Sequence, residues 1–143
     1  HDLAQVTVGA EPQSGQGIIS IFRAQPRTLP LDLEELERHP LGSQAFMPLD
    51  GEPYLVVVAP TNPDDSPGLP LAFLAQPDQG VNLRRGVWHH PLLALGKSCR
   101  FLVVDRDGPG ANLDVVRLKP GSHRIDPDLT GRLGPAPATP PHN

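Results

Sequence analysis

The sequence has a single cysteine, Cys99, among 143 residues. One thiol excludes an internal disulfide framework and fits a reducing compartment, so a cytoplasmic location is expected. Beside the apolar run 101–104, Cys99 reads as a small hydrophobe at a strand. Aromatic residues are scarce, at 4%, with one Trp and one Tyr. Positive charge is in deficit: 12 Lys and Arg face 16 Asp and Glu, for a net charge of −4. No basic stripe with interleaved aromatics is present, which argues against nucleic acid as a partner. Long apolar runs are missing too. The longest, 54–59, falls far short of the ~18 residues of a membrane-spanning helix. No charged-then-apolar signal segment opens the chain. The only methionine is Met47, so His1 reads as a trimmed or processed end with residues expected upstream.

Turn-forming residues are abundant instead, with 14 Gly and 19 Pro. That usage is about double the average and excludes a helical bundle or coiled coil. It suits short strands joined by turns. Strands are expected over 3–8, 17–22, 43–49, 53–59, 71–75, 79–83, 86–90, 100–105 and 112–118, with a hairpin loop over 9–16. Asp50-Gly51 between two apolar runs predicts a hairpin turn, and 107–110 predicts another turn. Residues 32–39 have two readings. As a helix, Asp32 caps it and Pro40 ends it. As a strand, Leu33, Glu35, Glu37 and His39 share one face. Residues 60–70 can only be loop. The sum predicts an all-β antiparallel sandwich, barrel or jelly roll with at most one or two short helices. Residues 1–119 form the expected domain. Residues 120–143, with six Pro and three Gly, are expected to be a tail.

Six histidines occur, and three of them, His39, His89 and His90, lie beside expected strands and before a proline or another histidine. Glu37-x-His39 puts a carboxylate and an imidazole on one face of a strand. Gln44 and His89 can converge on them from neighbouring strands. One carboxylate, two imidazoles and an amide oxygen form a mixed nitrogen and oxygen set suited to Ni, Mn, Fe or Zn. The bland alternative is a solvated Glu37 and a barrel without metal. His89 and His90 cannot both point inward on a regular strand, although Pro91 could distort that end. Arg23, Arg38, Arg84, Arg85 and Arg106 are candidate carboxylate binders, because a guanidinium grips a carboxylate bidentately. Arg23 and Arg106 stand out, each following an apolar run, and Asn82 has a similar strand-end position.

The spacing Glu37-x-His39-x4-Gln44-x6-Gly51 resembles the first motif of the cupin barrels. Gly86-x2-His89 resembles part of the second, with Arg84 and Leu93 in place of its Pro and Asn. A closer resemblance is carried by ISIFRAQP (19–26), ERHPLGSQAFMPLDG (37–51), YLVVVAP (54–60), QGVNLRRGVWHHPLLAL (79–95) and FLVVDRDGPGANL (101–113). These strings resemble the ureidoglycolate lyase family, formerly called ureidoglycolate hydrolase. The resemblance runs from His1 to about Leu118. It implies a cupin-like barrel, a homodimer, and cleavage of (S)-ureidoglycolate to glyoxylate and urea in allantoin breakdown. It implies nickel in some members and a start upstream of His1. Two positions depart from the family pattern: Leu83 stands where it has Tyr, and Arg84 where it has His.

For that reaction the expected base is His89 or His90, with Glu37 or His39 returning the proton. Arg23, Gln44, Asn82 and Arg106 are the expected substrate binders. Glu37, His39, Gln44 and His89 are the expected metal ligands. Two other readings are a cupin-like binding or regulatory protein without turnover, and an amidohydrolase releasing ammonia.

Overall fold

A computed structural model describes residues 15–127. The expected strand 3–8 and most of the loop 9–16 lie outside the described residues, as does the chain from 128 onward. Among the described residues thirteen strands are assigned: β1 (Gln16–Ala24), β2 (Pro26–Arg27), β3 (Leu31–Asp32), β4 (Glu35–Arg38), β5 (Gln44–Pro48), β6 (Tyr54–Ala59), β7 (Leu71–Ala75), β8 (Val81–Leu83), β9 (Trp88–His89), β10 (Leu93–Leu95), β11 (Cys99–Asp107), β12 (Asp114–Arg117) and β13 (Arg124–Ile125). The fold is cupin-like and all-β, as expected.

The strands form two principal sheets. One has the order β1-β11-β5-β8. The other has the order β12-β4-β9-β6-β10-β2, with β7 on the free side of β6. A two-stranded ribbon joins β13 to β3. Pairing is antiparallel except between β10 and β2. The inward faces meet in a core of Phe46, Tyr54, Leu83, Ala94, Cys99, Phe101 and Val103. Alternation on β11 generates this directly, because Cys99, Phe101 and Val103 are buried while the residues between them are not. Tyr54 packs edge-on against Phe101 at 4.9 Å between ring centroids, and its hydroxyl donates to the Gln79 carbonyl at 3.0 Å. Burial pushes the Tyr54 phenol up to about 12.

The segment 32–39 is extended rather than helical, but it is broken at 33–34, and Leu33 packs with Leu55, Val57, Leu93 and Ile125 instead of sharing the face of Glu37. Leu36 is fully buried between Glu35 and Glu37, and the β4 backbone pairs with β12 on one side and β9 on the other. The segment's register then splits its side chains by face. Leu36, Ala59 and Trp88 form a cluster on the outer side, while Glu37 and His89 turn inward.

Asp50-Gly51 makes a turn, with Gly51 at φ +72°, but not a hairpin. β5 and β6 belong to different sheets, so this turn carries the chain from one layer to the other. Asp50 accepts hydrogen bonds from the Arg100 amide and guanidinium, which ties the crossing to the start of β11. β10 had no counterpart among the expected strands. It follows an irregularity along the edge of β6. Five residues from His89 to Leu93 face four from Val58 to Leu55, so one residue is extra. Pro91 lies within that bulge, where its missing N–H costs no ladder bond. Residues 120–127 begin on the domain, since β13 pairs with β3 and Ile125 packs with Leu33, Leu55, Val57 and Leu93.

Phe101→Ala should cost about 3–5 kcal/mol, because the ring is fully enclosed and the core cannot collapse around its loss. Urea unfolding monitored by circular dichroism reads this as a lower midpoint. A midpoint equal to that of the parent would remove Phe101 from the centre of the core.

Candidate functional site

The site is built where β4, β9 and the end of β5 face the space between the sheets. Glu37 and His89 are direct cross-strand partners on β4 and β9. His39 follows β4 two residues after Glu37, and its ring lies 5.4 Å from that of His89. One ligand atom from each of Glu37, His39 and His89 falls within 4.8 Å of the others.

Both imidazoles are oriented from behind. His39 Nδ1 donates to the Asn112 carbonyl at 2.8 Å, and His89 Nδ1 donates to the Val87 carbonyl at 2.9 Å. A carbonyl only accepts, so each Nδ1 carries the hydrogen and each neutral ring presents a lone pair at Nε2. Both Nε2 atoms are buried without a hydrogen-bond partner. The Asn112 side chain also receives the Leu41 amide at 2.8 Å, fixing the strap that holds His39. Gly86, at φ +78°, donates its amide to the His39 carbonyl at 2.9 Å. A side chain at that position would strain the turn that leads into β9.

Glu37 Oε1 stands 3.5 Å from His89 Nε2. The side-chain contact with His89 is the main reason its carboxyl is held below the usual carboxylate range. Burial opposes that shift, and the nearby His89, His39 and His90 reinforce it. When His89 is neutral, Glu37 Oε1 and His89 Nε2 are two acceptors facing each other. A cation between them, proton or metal, relieves that opposition. Gln44, 5% exposed, adds a buried carbonyl oxygen that also lacks a partner. This donor set of nitrogen and oxygen fits a divalent cation, and each imidazole has the backbone-bonded second nitrogen that metal-binding histidines commonly show.

A cleft of about 550 Å³ opens beside this group, lined by Glu37, Gln44, Arg23, Arg27, Phe22 and Leu92 among others. Of Glu37, His39 and His89, it is Glu37 that lines it. Arg23 lines the cleft. Arg27, at the end of β2, is a second cation there that sequence reasoning did not single out.

The other expected residues lie elsewhere. His90, one residue past His89 and still in register with β6, lines a smaller neighbouring pocket with Arg27, Glu34 and Glu35, and its Nδ1 donates to the Pro91 carbonyl. Burial is the main cause that depresses its pKa. Asn82 pairs with Ala45, between the inward pairs of Leu83 and Val81, so it belongs to the outer face of its sheet. Arg106 follows the inward Asp105 by one residue, also takes the outer face, and donates to the Pro109 carbonyl at 2.8 Å. Arg38 is engaged by Asp65 and Asp114 and lies 4.5 Å over the Trp88 ring. Arg84 and Arg85 are exposed in a turn. Asn112 and Asp105 were not anticipated. Asp105 had a readable signal, since it breaks the apolar inward series of β11.

The family model described as ureidoglycolate lyase matches residues 1–125. The chain belongs to the ureidoglycolate lyase family. It is 54% identical over 118 residues to a protein named ureidoglycolate lyase from Burkholderia mallei (strain NCTC 10229), covering 82% of this chain and 68% of that one. A protein of the same name from Rhizobium etli (strain CIAT 652) is 54% identical over 110 residues, 75% of this chain and 66% of the relative. Another from Pseudomonas paraeruginosa (strain DSM 24068 / PA7) is 56% identical over 114 residues, 80% and 66%. The chain thus spans about two thirds of the length of the curated lyase relatives it matches. Among the described residues no helix is long and apolar enough to cross a membrane.

Glu37 gives the site a measurable acid limb. Its folded pKa is lowered, so its stabilisation is complete above the ordinary value of 4.5 and fades as pH falls through the lowered one. Glu37→Gln should therefore flatten the loss of unfolding free energy between about pH 5 and pH 3. Urea unfolding across that range checks it. An unchanged acid limb would show that Glu37 gains nothing from the imidazoles.

Proposed function

We propose that this chain cleaves (S)-ureidoglycolate to glyoxylate and urea. The observation that carries this reading is the coincidence of family membership with the inward cluster of Glu37, His39 and His89 beside an arginine-bearing cleft. Ureidoglycolate combines a carboxylate with a carbon bearing both a hydroxyl and a ureido nitrogen. Arg23 and Arg27 hold the carboxylate. His89, its Nδ1–H fixed on the Val87 carbonyl, takes the hydroxyl proton at Nε2. The freed oxygen electrons form the aldehyde C=O, and the C–N pair leaves with urea. The imidazole pair His39–His89 returns the proton to that nitrogen, so no water is consumed. Glu37, kept ionised, stabilises the imidazolium between the two transfers.

Where a divalent ion such as nickel is bound, Glu37, His39, His89 and Gln44 would hold it; His89 Nε2 would then serve as a ligand in place of the base, and the ion would supply Lewis acidity toward the substrate oxygens. The protein works as a cytoplasmic homodimer in this reading.

One observation favours a second reading, a cupin-like small-molecule binder without turnover. Leu83, which replaces the family's tyrosine, stands directly opposite Gln44 and is buried in the core. No hydroxyl is then available at that wall of the site. Arg84, the other departure, is exposed.

Incubation of the protein with (S)-ureidoglycolate should release glyoxylate and urea in equal amounts, with His89→Ala reducing the rate by about 10²–10⁴-fold. Ammonia in place of urea would make it an amidohydrolase. Absence of glyoxylate would leave the binding reading. Parent-like turnover by His89→Ala would remove His89 from the chemistry.

A further inference from the structure

The orientation of Gln44 is set from outside the cluster it adjoins. One step beyond the Ala45–Val104 pair, Gln44 faces Asp105 across the β5–β11 ladder, and both lie on the inward face. Gln44 Nε2 donates to Asp105 Oδ2 at 2.9 Å. The other carboxylate oxygen, Oδ1, accepts the Arg106 backbone amide at 2.7 Å, which fixes the carboxylate in turn. A carboxylate accepts and does not donate, so the Gln44 amide must turn its NH2 toward Asp105. The opposite end of the amide is then its carbonyl oxygen, buried and without a hydrogen-bond partner. Gln44 lines the cleft together with Glu37, and His39 and His89 each hold an unpartnered buried nitrogen nearby.

We infer that Asp105 is a positioning residue, turning the Gln44 amide so that its oxygen completes the donor set of Glu37, His39 and His89 for a divalent cation. The inference rests on that cluster holding a metal ion and is independent of the lyase reaction. A side-chain amide has two faces of opposite character. Its oxygen attracts a cation and its NH2 repels one, so control of the flip is control of the site. Replacing Asp105 by Asn reverses the sense of the control. The Arg106 amide still requires an acceptor, which commits the new oxygen, and the new NH2 then faces Gln44. Gln44 must offer its oxygen there and turn its own NH2 the other way.

Titration of the 143-residue chain with Co2+, followed by visible absorption and calorimetry, tests this. Asp105→Asn should weaken Co2+ binding by about 10–100-fold and alter the absorption bands, with the unfolding midpoint measured alongside. Asp105→Asn combined with Gln44→Glu should restore affinity to the parent level or better, because a carboxylate at 44 accepts from the new NH2 and still presents an oxygen. That double variant also carries the test if the single variant does not fold. Parent-like Co2+ binding by Asp105→Asn, no recovery in the double variant, or no Co2+ binding by the parent would each overturn the inference. Glyoxylate release by the parent reports on the reaction separately.

Discussion

Two hydrogen bonds to backbone carbonyls set the character of the inward cluster on β4 and β9. His39 and His89 each place Nδ1–H on a main-chain oxygen, of Asn112 and Val87 respectively. That single constraint chooses the tautomer and leaves both Nε2 lone pairs inside the fold, near the Glu37 carboxylate. With the rings free to rotate, the same three side chains would solvate or pair at random. Held as they are, they concentrate electron pairs in one small volume. Such a volume calls for positive charge, supplied by a proton in acid or by a cation, and the depressed carboxyl of Glu37 is one expression of that demand.

The supporting structure explains why the constraint is rigid. β4 has neighbours on both edges, and β9 lies between β4 and β6. The outward partners of the site residues, Leu36 and Trp88, are packed with Ala59, so neither strand can roll without disturbing a buried cluster. Arg38 adds a polar clasp over Trp88, binding Asp65 from the 60–70 loop and Asp114 from β12. On the opposite sheet, the Phe46, Phe101 and Val103 core fixes the register that sets Gln44 against Asp105. Strand alternation separates the two adjacent histidines, because His90 stays in register and donates its amide to the Val57 carbonyl. His89 faces Glu37, while His90 lines a different pocket just before the bulge at Pro91.

Much of this was legible in the order of residues. Alternation identified most strands and put Glu37 and His39 on a common face, and the spacing to Gln44 and His89 singled out the remaining members. The ambiguous 32–39 segment had no local answer. Only pairing with β9 and β12 decided that it is extended. The Asp50-Gly51 turn was recognised, but its neighbours were misjoined, because turn chemistry fixes a reversal and not which sheet each arm enters. Asn82 and Arg106 were drawn to the site by strand-end position. Parity against Ala45 and Asp105 sends them to the outer face.

By itself, then, the amino-acid order determined the strand-rich class, the membership of the ureidoglycolate lyase family and the core of the donor set. These are matters of local period and spacing, which the chain carries wherever it folds. Tertiary structure alone decided which arginines reach the cleft, which carbonyls pin the imidazoles and which carboxylate turns the Gln44 amide. Those contacts join residues far apart in the chain: His39 meets Asn112, and Gln44 meets Asp105. Their geometry depends on sheet register, and register is a property of pairs of strands rather than of any one of them.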